Sequence, residues 1–161
     1  MGAIRRFFTL KGRSNRLPYW ITTIAVAFVV LVVALQVLFV FLPDNYDPNS
    51  GVVWVFAIGA VAMLLVVPIT TRRLHDRDRS AWWLVPYLVV PFIIGEPQDY
   101  AAFGLSLDPD LAGVLNVVAW GLTLVALVDL GLLRGTDGPN RYGPDPLNPE
   151  AYDPADADVF D

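Results

Sequence analysis

Five consecutive residues, Arg72, Arg73, Leu74, His75 and Asp76, form the densest set of chemically capable side chains in this 161-residue chain. Guanidinium forks bind phosphate bidentately, so Arg72 and Arg73 are candidate ligands for an anion or a lipid headgroup. His75 is the single histidine. Its ordinary pKa, about 6.5, lies close to cytoplasmic pH, which makes it a candidate proton-sensitive group. On a helix, Arg72 would face His75 at i+3 and Asp76 at i+4, and the bland alternative is a topological anchor with local ion pairs. A second candidate is Asp129, a carboxylate inside an apolar run. Such groups face protein or water and pair with something, and Arg72, Arg73 or His75 are the expected partners. Asn140, Arg141 and Tyr142 sit in the Gly- and Pro-rich stretch GTDGPNRYGPDP, residues 135–146. They are expected to fold back against the other turns on the same side.

Much chemistry is excluded. Cysteine is absent, which removes thiolate nucleophiles, disulfides and cysteine-ligated metals. One histidine cannot build HExxH or a multi-histidine metal site, and no GxSxG elbow, Walker A loop or GxGxxG turn occurs. No second intramembrane carboxylate accompanies Asp129 for acid–base work. The sequence therefore predicts no catalytic residues, no metal site, no cofactor and no enzyme. Nucleic acid is not an expected partner, because the basic residues are held at a bilayer rather than on a free face.

The elements that must position these residues are membrane helices. The chain is 55% hydrophobic and 17% charged, with a mean hydropathy of +0.52. Residues 19–42 are apolar except for Thr22, Thr23 and Gln36. At 1.5 Å per residue they reach about 36 Å, more than the roughly 30 Å of a hydrocarbon core. Residues 52–70 and 111–133 are further spans. Residues 80–95 form a weaker one, with Pro86 and Pro91 each removing a hydrogen bond. They predict a short third helix kinked by prolines, either spanning or re-entrant.

Charge placement favours four crossings. All eleven Lys and Arg residues then fall on one side, in segments 5–16, 72–79 and 134–141. The opposite loops, 43–51 and 96–110, carry Asp44, Asp47, Glu96, Asp99, Asp108 and Asp110 and no cation. By the positive-inside rule both termini are cytoplasmic. Tyr19, Trp20, Trp54, Trp82 and Trp83 are placed for interfacial belts. Three regions follow: a cytoplasmic interfacial segment, 1–18; an all-α four-helix transmembrane domain, 19–134; and a cytoplasmic turn with an acidic, disordered tail, 135–161. Within the first, Ile4, Phe7 and Phe8 oppose Arg5, Arg6 and Lys11 at helical spacing, which suits a helix in the headgroup plane. The first apolar run is too long for a cleavable signal and reads as an anchor.

Three stretches, KGRSNRLPYW (11–20), RRLHDRDRSAWW (72–83) and GTDGPNRYGPDP (135–146), resemble the bacterial and archaeal membrane family known as domain of unknown function 805. The resemblance covers about residues 7–146. It implies a small multi-span plasma-membrane protein of unassigned activity and carries over no catalytic residue. The expected role is a binding or assembly module. Its arginine-rich cytoplasmic turns would contact anionic lipid headgroups or a partner, with a second copy of the chain as a candidate. The alternative is an oligomeric transporter or channel protomer with a polar path near Gln36, Asn116 and Asp129. GLLRG, residues 131–135, has the small-xxx-small spacing of packed membrane helices.

Overall fold

The structure is a computed structural model that describes residues 8–37, 39, 48–95 and 106–149. Among them every regular element is helical. The expected N-terminal interfacial helix, most of the two loops opposite the basic end and the acidic tail lie outside these residues.

Helix α1, Arg16–Gln36, starts where Asn15 caps it, its side-chain oxygen accepting from the Leu17 amide at 3.1 Å. Pro18, in the first turn, loses no intrahelical bond. Helix α4, Pro109–Ala126, begins the same way. Asp108 accepts from the amides of Asp110 and Leu111, Pro109 takes the first position, and Asp110 favours the positive end of the helix dipole. It continues into a π-helical turn, Leu127–Leu132. Leu17, Ile21, Ile24 and Phe28 of α1, and Val117, Trp120 and Leu124 of α4, are exposed. An apolar surface of that extent needs lipid as its solvent.

Helix α2, Pro48–Asp76, overruns the predicted end at residue 70 by a turn and a half. The arginine-rich stretch is therefore not a loop. Pro68 inside α2 lacks an N–H, and Thr71 Oγ1 donates to the Val67 carbonyl at 2.8 Å. The helix stops about two turns later, before Asp78, which among the described residues is the non-glycine residue with positive φ, 54°. There the Arg79 amide donates back to Leu74 O at 2.9 Å and the Asp78 amide to His75 O at 3.0 Å, a Schellman closure with aspartate in the left-handed position.

The third helix, α3, is short as predicted and changes winding along its length: a 3₁₀ turn, Ala81–Trp83, a π-helical stretch, Val85–Val89, and an α-helical end, Val90–Ile94. Residues 81–94 reach about 21 Å. The proline-rich run is accommodated by this irregular winding. Three helices, Arg16–Gln36, Phe56–Asp76 and Pro109–Leu132, are long and apolar enough to cross a membrane; α3 is not.

Helix α1 packs along α2, and α3 lies against α4. Phe56 of α2 and Phe92 of α3 meet edge to face at 5.9 Å, and a Cβ on Gly59 would lie 2.6 Å from the Phe92 ring. The end of α4 closes against α1 and α2. The main buried cluster, Tyr19, Ile69, Leu74, Tyr87, Ala126 and Leu130 with Trp20 and Leu84 around it, lies near that end, and Ala119 is buried separately, midway along α4. Tyr19 and Trp20 therefore face the protein rather than an outer belt, and Trp20 Nε1 donates to Gly131 O at 3.1 Å. Trp82, 81% exposed, is placed as an interfacial residue would be.

Candidate functional site: an interlocked polar cap

Arg73 is fully buried, at 0% exposure. Its Nε donates to Leu130 O at 2.7 Å, Nη2 to Leu133 O, and Nη1 pairs with Asp76 one turn along α2. One guanidinium thus ties α2 to the end of α4 through two carbonyls that a helix terminus leaves open.

Asp76 is the hub. Arg13 reaches it from the segment before α1, Nε at 3.2 Å and Nη2 at 3.1 Å from Oδ1. The same guanidinium donates to Thr136 O at 2.6 Å and Gly138 O at 2.5 Å. The Asp76 carbonyl accepts from the Thr136 amide at 2.8 Å. Gly135 must be glycine here, because a Cβ would collide with the Asp76 carboxylate. Upstream, the Ser14 amide donates to Arg72 O at 3.0 Å.

His75 is buried beside this hub. Its Nδ1 is 3.2 Å from Gly12 O, and a carbonyl can only accept, so Nδ1 carries the proton. The ring stacks on Tyr142, centroids 3.8 Å apart and 3° from parallel, and the Arg141 guanidinium lies over the Tyr142 ring at 4.9 Å. Asn140 Nδ2 donates to His75 O at 2.9 Å, and Arg141 bonds both the carbonyl and the carboxylate of Asp78. All three turn residues singled out in the sequence fold against the end of α2. Asp145 organises the turn beyond them, accepting from the Leu147 amide at 2.9 Å and the Gly138 amide at 3.1 Å. Those two amides hold its carboxyl below the usual carboxylate range, Leu147 contributing most.

A second cluster lies around Asp129, 5% exposed. Its carboxylate pairs with Arg77 Nη2 at 2.9 Å and Arg79 Nη1 at 3.0 Å, and accepts from the Tyr87 hydroxyl at 3.2 Å. Arg79 also donates to Tyr87 and lies over the Trp83 ring at 4.5 Å. Asp129 and Tyr87 both belong to π-helical stretches, one in α4 and one in α3. Such bulges turn a side chain off the regular helical face. The partners of Asp129 are thus Arg77 and Arg79 rather than Arg72, Arg73 or His75. Arg72 is half-buried and reaches back to Pro68 O at 3.4 Å.

Sequence reasoning missed Arg13, Tyr87 and Thr136. Tyr87 had a signal, a lone hydroxyl in an apolar run. Arg13 and Thr136 had none beyond lying in the two outer motif stretches. Gly131 and Gly135 are close-approach points, the first with Trp20 2.6 Å from where a Cβ would sit. They contact other elements of the same chain.

Gln36, Asn116 and Asp129 do not come together. Asn116 donates to Gly95 O at 2.6 Å, tying α3 to α4, and Gln36 is exposed on α1. Asn116 lies about 20 Å from Asp129 along the helix axis. Among the described residues no group of three His, Asp or Glu side chains is placed to hold a metal.

The three motif stretches thus meet in one place, joined by hydrogen bonds and ion pairs. The family model described as "Protein of unknown function (DUF805)" matches residues 7–144, most of the chain. The chain belongs to this family. Similar to this DUF805 chain are two inner membrane proteins of Escherichia coli. Inner membrane protein YhaH is 26% identical over 152 residues, covering 89% of this chain and 91% of that one. Inner membrane protein YhaI is 27% identical over 146 residues, covering 91% and 92%. No solved structure matches. The DUF805 chain is a helical membrane protein whose described basic residues gather at one end.

Proposed function

We propose that this chain is a four-crossing inner-membrane assembly module. Both ends lie in the cytoplasm, and the cap serves as a rigid platform against anionic headgroups or a partner protein. The observation that carries the reading is the asymmetry of charge. Nine Lys and Arg residues, from Lys11 to Arg141, lie in the described segments around the cap, against the five carboxylates Asp76, Asp78, Asp129, Asp137 and Asp145. The apolar stretches leading away from it contain no cation, and Asp108 and Asp110 cap the far end of α4. An anionic inner leaflet attracts each such cation by about 1 kcal/mol. Helix α3 completes the fourth crossing in this reading, its shortness offset by local thinning of the bilayer and by Trp82 and Trp83 at its start.

The platform is not the pair first expected. Arg73 is enclosed, so the cations turned to the surroundings are Lys11, Arg16, Arg134 and Arg141. In this reading the chain is not an enzyme, and its partners are lipids and a second copy of itself. Epitope tags at both ends and at positions 45 and 99, probed with protease on intact spheroplasts, test it. The ends should be protected and the internal tags cut; cleavage at either end refutes the topology.

A further inference from the structure

Arg16 and Arg134 belong to neither ion-pair cluster. Both are exposed. Arg16 Nη1 donates to Leu132 O at 3.0 Å, and the Arg134 side chain makes no ion pair among the described residues. The two share the lining of a cavity of about 260 Å³ with Asn15, Thr136 and two carboxylates, Asp137 and Asp145. A water molecule occupies about 30 Å³ in the liquid, so the space is that of a small ligand. The cations come from the ends of α1 and α4, and the carboxylates from the turn that follows. The other charged groups along the wall, Arg73 and Asp76, are closed on one another and on Arg13.

Two guanidinium groups alone would suit any anion. Two carboxylates in the same cavity oppose a bare phosphate dianion, and the guanidinium groups oppose a metal ion. A ligand carrying a phosphate and a protonated amine a few bonds apart satisfies both pairs. We propose that this cavity binds a phosphate–primary ammonium group of the phosphoethanolamine class, the phosphate on Arg16 and Arg134 and the ammonium on Asp137 and Asp145. Guanidinium matches phosphate oxygens in a fork, and each carboxylate oxygen of Asp145 keeps a lone pair beyond the amide bond it accepts. The inference rests on the reading of this end as the membrane–water boundary. The exposed Leu17, Leu132 and Leu133 then offer an apolar margin to the acyl end of a lipid. The same chemistry is carried by a diacyl phosphatidylethanolamine or by soluble phosphoethanolamine.

Native mass spectrometry of the full chain in detergent, with equal amounts of added phosphatidylethanolamine, phosphatidylcholine and phosphatidylglycerol, tests the lipid source. The choline headgroup has no N–H to donate and the glycerol headgroup has no cation. Retention of the ethanolamine lipid should exceed the others about tenfold, the worth of one charge-assisted hydrogen bond. Asp137→Asn, at an exposed position, should abolish that preference, and Arg16→Gln with Arg134→Gln should lower retention of all three. Thermal shift in lipid-free detergent with phosphoethanolamine against inorganic phosphate tests the soluble source, and a rise with the former alone supports it. Equal retention of the three lipids together with no such shift overturns the proposal, as does a preference for phosphatidylglycerol or a preference that survives Asp137→Asn. The tag-accessibility assay run on the same variants separates the failures. Ends found outside defeat the topology, whereas correct topology without selectivity defeats the cavity alone.

Discussion

Replacing Asp129 by asparagine keeps the shape of the side chain and removes one charge. Arg77 and Arg79 are then left without their shared counterion, 2.9 and 3.0 Å from a neutral amide. Breaking a buried pair by deleting one partner costs about 3–5 kcal/mol. The side chains of Arg77 and Arg79 are 16% and 30% exposed, so water relieves part of the cost and about 3 kcal/mol is expected. For a chain of this size that lowers the melting temperature by about 6–12 °C. The assay is thermal unfolding in a mild detergent, followed by fluorescence-detected size exclusion of a fusion protein. Adding Arg77→Gln to Asp129→Asn should recover part of the loss, because the uncompensated cation is removed as well. A single variant within about 1 °C of the parent, or a double variant whose losses simply add, would refute the account of Asp129 as the counterion joining α2, α3 and α4.

Arg73→Lys keeps the charge but cannot reach Leu130 O, Leu133 O and Asp76 together, so a loss of about 3 kcal/mol is expected in the same assay; full rescue by lysine would show that charge alone matters. Gly135→Ala forces a methyl group into the Asp76 carboxylate and should cost about 1–3 kcal/mol, whereas Gly113→Ala, with open space around it, should be silent. The depressed titration of Asp145 means that its contribution is complete above the unfolded-state value and is lost as pH falls through the lower folded one. Protection of the Gly138 and Leu147 amides, taken relative to their intrinsic exchange rates, should therefore persist through neutral pH and fall only below the ordinary aspartate value near 3.8, and Asp145→Asn should abolish that pH step.

Hydropathy located the long helices because lipid-facing surfaces leave a composition signal that packing does not disturb. The boundaries were less legible. Residues 72–76 look like a charged turn in sequence, yet the helix continues through them, since Arg73 and Asp76 find partners inside the protein. The tie from Asp129 could be expected from a carboxylate in an apolar run. Its partners could not, because the π-helical turn at Leu127–Leu132 and the left-handed Asp78 each shift register, bringing Arg77 and Arg79 rather than Arg73 to its side chain. Arg13 reads as one more basic residue before the first span. Only the fold brings it across 63 positions to Asp76.

The cap is assembled from stretches made early, midway and late in synthesis. When α2 leaves the ribosome, the two carbonyls that receive Arg73 have yet to be translated. Until residues 130–133 arrive, that guanidinium lacks two of the acceptors that hold it in the folded chain, and α2 has no tie to the end of α4 through Arg73. The last helix therefore acts as the closing latch of the fold, and a chain that stops short of it leaves the Arg73 guanidinium without the two carbonyls that shelter it in the finished protein.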